Sequence, residues 1–147
     1  MKSEAILTHR FIEYIPDKLE DGVIYISMEF ATASHKCGCG CGLEVVTPFT
    51  PTDWKLIFDG ETISLDPSVG NWSFPCESHY WIINNKIEWS RKWSKEKIKE
   101  GRVRDSLKKQ QHIEAKIIST AEETQPTTEN QKVEQRRSFW QKIREWF

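Results

Sequence analysis

No run of apolar residues in the 147-residue chain approaches the roughly 20 needed for a membrane-spanning helix. Met1-Lys2-Ser3-Glu4 leads into polar sequence without the apolar segment of a secretory leader, so none is expected. Cysteine is scarce: there are four, and three of them fall between residues 37 and 41. A leaderless chain is expected in a reducing cytoplasm, where clustered cysteines hold metal more often than they form disulfides. Only 37% of the residues are apolar, but 12% are aromatic, with seven Trp, so a compact aromatic core is feasible.

The stretch that organises the rest reads His35-Lys36-Cys37-Gly38-Cys39-Gly40-Cys41-Gly42. On a regular strand alternate thiols would share one face, but a straight strand cannot wrap three of them around one atom. Glycine between them admits φ > 0, so the backbone can fold into a knuckle that turns the thiols inward. Soft sulfur ligands on such a loop suit tetrahedral zinc. Cys76, in Pro75-Cys76-Glu77-Ser78-His79, is the expected fourth ligand, with His35 and His79 as alternatives. Cysteines two apart make poor disulfide partners, because the bond demands a particular Cα separation and dihedral.

The net charge of −1 hides an asymmetry. Residues 1–90 carry six Lys/Arg against thirteen Asp/Glu, whereas residues 91–147 carry fifteen against nine. An acidic body is followed by a basic arm. The body reads as mainly β, a small meandering antiparallel sheet. Residues 5–15 suit a short strand closed by Pro16, and Val23–Phe30 is the clearest strand, β-branched and aromatic. Leu43–Thr47, Trp54–Phe58 and Glu61–Leu65 follow, the last two joined by an Asp59-Gly60 turn. Asp66–Trp72 is expected to be a loop, and His79–Ile83 with Lys86–Trp89 a hairpin around Asn84-Asn85. A metal clip would supply much of the stability of so small a sheet.

Beyond Ser90 the composition changes. Residues 91–118 predict a charged helix with a weak apolar stripe (Ile98, Val103, Leu107, Ile113, Ile117), interrupted by Gly101. Its basic run from Arg91 to Lys109 reads as a solvated face, and nucleic acid is not expected as a partner, since Trp93 is the only aromatic interleaved with it. Residues 119–131 read as a polar linker. Residues 132–147 predict an amphipathic helix with Phe139, Trp140, Ile143, Trp146 and Phe147 on one face, expected to dock on protein rather than membrane.

Three stretches together carry a resemblance: the His35–Gly42 knuckle, Leu65–Trp72, and Cys76-Glu77-Ser78-His79-Tyr80-Trp81-Ile82. They resemble the signature of a small bacterial domain family encoded beside ubiquitin-like proteins and their activating and conjugating enzymes, in operons linked to phage defence. The resemblance spans about residues 8–90 and leaves out the tail. It implies a deubiquitinase-like peptidase that processes or removes the ubiquitin-like protein. It implies a serine, not a metal-bound water, as the working group, and that protein and its enzymes as partners.

The residues can be weighed for that chemistry directly. His79 is the best base in the motif region. Ser78 adjoins it, but neighbours on a strand face opposite ways. Ser68 is therefore favoured as nucleophile, with backbone N–H groups near Gly70 for an oxyanion and Ser78 as a supporting partner. Four thiolates would make a closed, structural site and three would leave a position for water; sulfur makes a three-thiolate ion a weaker Lewis acid, so the closed, structural site is expected. The competing reading is a non-catalytic adaptor that uses the β body to hold a ubiquitin-like protein or conjugating enzyme.

Overall fold

The β-branched and aromatic segments do pair as strands, but in two layers. The computed structural model of the chain describes residues 5–123, and among these are nine strands in two sheets and one helix. The first sheet orders β1 (Ala5–Ile6), β9 (Lys86–Trp89), β8 (His79–Ile83), β7 (Ile63–Gly70) and β6 (Lys55–Phe58) side by side. The second orders β2 (Thr8–Phe11), β3 (Val23–Ser27), β4 (Thr32–Lys36) and β5 (Glu44–Pro48). The chain is mainly β with a C-terminal helix, as expected. The single antiparallel meander divides into two sheets, and β2 runs parallel to β3.

The division begins at the N-terminal stretch. Leu7 N–H donates to Asn85 C=O (2.7 Å) and Thr8 N–H to Gly22 C=O (2.7 Å), so consecutive residues are tied to different sheets while the Leu7 side chain enters the core. Residues 12–15 do not extend the strand; Ile12 and Ile15 pack onto Leu19, Val23 and Tyr25 in a second, smaller cluster. This explains why β3 lacks alternation. Ile24 and Ile26 face the main core, Val23 and Tyr25 face the small cluster, and both sides are buried. The main core is shared by the two sheets, with Ile24, Ile26 and Ala33 of one against Leu65, Tyr80 and Ile82 of the other. Each of the buried Ile and Leu side chains among them contributes about 1.5–3 kcal/mol.

Asn84 and Asn85 close the β8–β9 hairpin with φ of 48° and 63°, the left-handed geometry that asparagine tolerates. The expected loop over Asp66–Trp72 is a correction: β7 continues through Gly70. Its register with β8 shifts between Leu65 and Val69, after which Val69 pairs with Tyr80 and Gly70 with His79. Pro67 falls inside that irregular stretch, where a residue without an N–H leaves no ladder bond unmade. A bulge uses the same turn-forming residues as a loop.

α1 spans Lys95–Glu123, where residues 91–118 were expected to be helical. Its start is set by Ser94, whose Oγ accepts from Lys97 N–H (3.2 Å) and whose carbonyl accepts from Ile98 N–H (3.0 Å). Its last residues take up the beginning of the expected linker. The rest of that linker and the amphipathic segment 132–147 lie outside the described residues. Residues up to Ser106 form one compact unit, and the chain from Leu107 belongs to a second. No helix among the described residues is long and apolar enough to cross a membrane.

Candidate functional site

Strand alternation sorts the motif residues onto two faces of the first sheet. Ser78, just before β8, and Tyr80 point inward and are fully buried, whereas His79 points outward. On β7, Leu65 and Val69 point inward, which leaves Ser68 and Gly70 on the outer face with His79. Gly70 is directly opposite His79, so Ser68 is the diagonal cross-strand neighbour of the histidine. The result is a contact of 2.9 Å between His79 Nε2 and Ser68 Oγ.

His79 is buried although it lies on the outer face, because two indoles cover it. The Trp72 ring centroid is 4.8 Å from the imidazole and that of Trp93 is 4.6 Å away, edge to face at 77°. The two tryptophans stack on each other at 5.7 Å. Gly70 makes room for this: a Cβ there would lie 2.5 Å from Trp72 Nε1. Burial pulls the His79 pKa below its usual value, the Arg91 backbone carbonyl opposes this, and the Lys97 ammonium adds to it. Nδ1 is buried and makes no hydrogen bond of standard geometry.

In the antiparallel ladder, bonded and non-bonded pairs alternate. Asn71 N–H donates to Ser78 C=O (2.8 Å), so the preceding pair, Gly70 and His79, is non-bonded. The Gly70 N–H and C=O therefore face away from β8, toward the side on which β6 begins opposite Asp66. Gly70 is exposed there.

The inner face carries the sulfur cluster. Cys37 follows β4, the hairpin loop to β5 holds Cys39 and Cys41, and the β7–β8 loop supplies Cys76. The four Sγ atoms lie within 4.8 Å of one another, with Cys37–Cys39 at 3.4 Å and both Cys37–Cys76 and Cys41–Cys76 at 3.9 Å. A tetrahedron of thiolates about 2.3 Å from a central ion has edges of about 3.8 Å, so the donor set fits. Gly40 and Gly42 take φ of 84° and 80°, which bends the knuckle as expected. Gly38 serves differently, since a Cβ there would meet Ile87 Cδ1 at 2.5 Å. Around the cluster, Ser78 Oγ lies 3.0 Å from Cys37 Sγ, and Asn71 Nδ2 donates to Ser78 Oγ (2.9 Å) and Cys37 Sγ (3.6 Å). Burial raises the Cys76 pKa, but hydrogen bonds from the Ser78 hydroxyl and backbone, with the neighbouring thiols, outweigh it and bring it down to about 7.

Residues 11–90 match the family model described as bacterial ubiquitination-like system serine protease (BubE). The chain belongs to the BubE family. No curated protein and no solved structure matches it. The BubE match contains Ser68, His79 and all four cysteines and stops at Ser90, before Trp93.

Of the residues singled out in the sequence, Ser68 and His79 come together, and so do Cys37, Cys39, Cys41 and Cys76. Ser78 sits with the sulfur cluster, not with His79. His35 lies apart from the cluster, its Nε2 2.9 Å from Tyr80 Oη in the core. Sequence reasoning missed Trp72, Trp93 and Asn71. The first was legible from spacing, since 68, 70 and 72 share a face on any strand; Trp93 was not, because it lies beyond the sheet.

Proposed function

We propose that this BubE-family chain is a peptidase that cleaves at the C-terminal tail of a ubiquitin-like protein, with Ser68 as nucleophile and His79 as general base. The observation that carries this reading is the 2.9 Å contact between His79 Nε2 and Ser68 Oγ. With Ser68 donating, Nε2 is the acceptor and the ring proton resides on Nδ1. Transfer of the Ser68 proton to Nε2 accompanies attack of Oγ on the scissile carbonyl. The Gly70 N–H, turned away from β8, is the donor available to the oxyanion. His79 then returns the proton to the departing amine, and water releases the acyl group by the same steps in reverse.

An extended tail suits this site. β6 begins opposite Asp66, so residues 67–70 of β7 have no strand on that side among the described residues. A peptide laid along that edge would pair with exposed backbone and pass Ser68. Cys37, Cys39, Cys41 and Cys76 would hold zinc, which when bound supplies a closed thiolate clip between the two loops. Ser78, with its hydroxyl directed at Cys37, is a support of that clip.

The test is incubation of the full chain with a ubiquitin-like precursor and weighing of the products by mass spectrometry. Ser68→Ala and His79→Ala are expected to abolish cleavage with metal content unchanged, and cleavage retained in both would refute the assignment. Partner binding without product from the unaltered chain would instead support the adaptor reading.

A further inference from the structure

We infer that the segment joining β9 to α1, beyond the family-matched residues, completes the catalytic unit: Trp93 holds the His79 ring in the orientation that serves Ser68. The inference rests on the Ser68–His79 reading and adds a positioning group to it.

His79 shares the outer face of β8 with Trp81 and Ile83, each 36% exposed, yet is itself only 5% exposed. What covers it arrives from the segment after β9 as well as from Trp72. Ser90 N–H donates to His79 C=O (3.0 Å), which anchors the departing chain on the histidine's own backbone. That anchor starts the departing chain beside the histidine. Further on, Trp93 closes on the imidazole at 4.6 Å. Trp93 is in turn held on several sides: Trp72 stacks on it, Lys97 Nζ lies 4.6 Å from its ring centroid, and Gly101 is close enough that a Cβ would stand 3.8 Å from Cζ3.

An imidazole working as a base needs its second nitrogen oriented, a task often done by a carboxylate. Here no carboxylate among the described residues hydrogen-bonds Nδ1. Orientation falls to a flat aromatic wall that limits rotation about χ2. A group misplaced by about 1 Å costs on the order of 100-fold in rate, so such a wall matters for catalysis without touching substrate. Trp93 is thus a positioning residue.

A fluorophosphonate probe tests this without knowledge of the natural substrate. Ser68 Oγ forms a bond to phosphorus, the P–F bond breaks, fluoride leaves, and the hydroxyl proton passes to His79 and then to solvent. Labelling of the full chain is followed by intact mass, and the site by peptide mapping. The unaltered protein is expected to be labelled at Ser68. Trp93→Ala is expected to slow labelling on the order of 10- to 100-fold, and Trp93→Phe, which keeps a flat ring, to restore most of the rate. Thermal melting is recorded for each; should Trp93→Ala not fold, Trp93→Leu, apolar but not flat, replaces it. A wild-type rate in Trp93→Ala, or an equal loss in Trp93→Phe, overturns the inference while leaving the serine reading intact. Absence of label at Ser68 in the unaltered protein overturns the serine reading itself, and this inference with it.

Discussion

The Ser78 hydroxyl lies 3.0 Å from the Cys37 sulfur, while His79, the next residue, reaches across the opposite face of the sheet to within 2.9 Å of Ser68. One peptide bond therefore separates the support of the sulfur cluster from the proposed base. Strand alternation keeps their chemistries on different sides, but the backbone between them is shared. Whatever fixes Cys37 and Cys76 also fixes the start of β8.

From this we expect Ser78→Ala and Ser68→Ala to behave as opposites. Removing the buried Ser78 hydroxyl leaves Asn71 Nδ2 with only its longer bond to Cys37 Sγ (3.6 Å), at a cost of about 1–3 kcal/mol. It also removes the hydroxyl in contact with Cys37 Sγ, which lowers metal affinity about 10- to 100-fold. Cleavage should persist when zinc is in excess. Ser68→Ala should abolish cleavage with melting temperature and metal content unchanged. Metal analysis and melting curves on both variants decide the matter, and loss of activity in Ser78→Ala at saturating zinc would count against the division of labour.

Gly70→Ala is expected to be disruptive although the position is exposed. The added Cβ would sit 2.5 Å from Trp72 Nε1 and 2.8 Å from Cε2, inside the body of an indole and not at the tip of a flexible chain. Trp72 must move, and it is one of the two rings against His79. We expect a destabilisation of about 1–3 kcal/mol, as for overpacked sites, with a shift in tryptophan emission and loss of cleavage. An unchanged emission spectrum with full activity would contradict it.

The pH dependence follows from the environment of His79. The base must be neutral to accept the Ser68 proton. Burial, then Lys97, hold the His79 pKa below the ordinary 6.5, against the Arg91 carbonyl that raises it. The acid limb of activity should accordingly fall at a pH below 6.5. Lys97→Met removes the repelling ammonium and should move that limb upward. The same lowering makes the stability contributed by neutral His79 fully present above its unfolded value and lost as pH falls below it. A rate profile of the two proteins checks the sign, and a limb that moves downward in Lys97→Met refutes it.

Much of the fold is written locally. Val23–Ser27 is a strand wherever it is placed, because β-branched and aromatic residues suit a pleated, buried backbone. Asn84-Asn85 closes a hairpin for the same kind of reason, and glycine between cysteines bends a knuckle at Gly40 and Gly42 through positive φ. The cysteine set and the Ser68–His79 choice followed from residue type, spacing and alternation. Other features depend on partners remote in sequence. The bulge between Leu65 and Val69 makes strand out of an apparent loop only because β8 is there to resume pairing. Leu7 divides one segment between two sheets only because a shared core receives its side chain. Trp93 covers His79 only because Ser90 is tied to the histidine's own carbonyl. Side-chain periodicity is a property of one segment and can be read from it. Register and coverage are relations between segments, decided by which buried surfaces and hydrogen bonds the folded chain satisfies together.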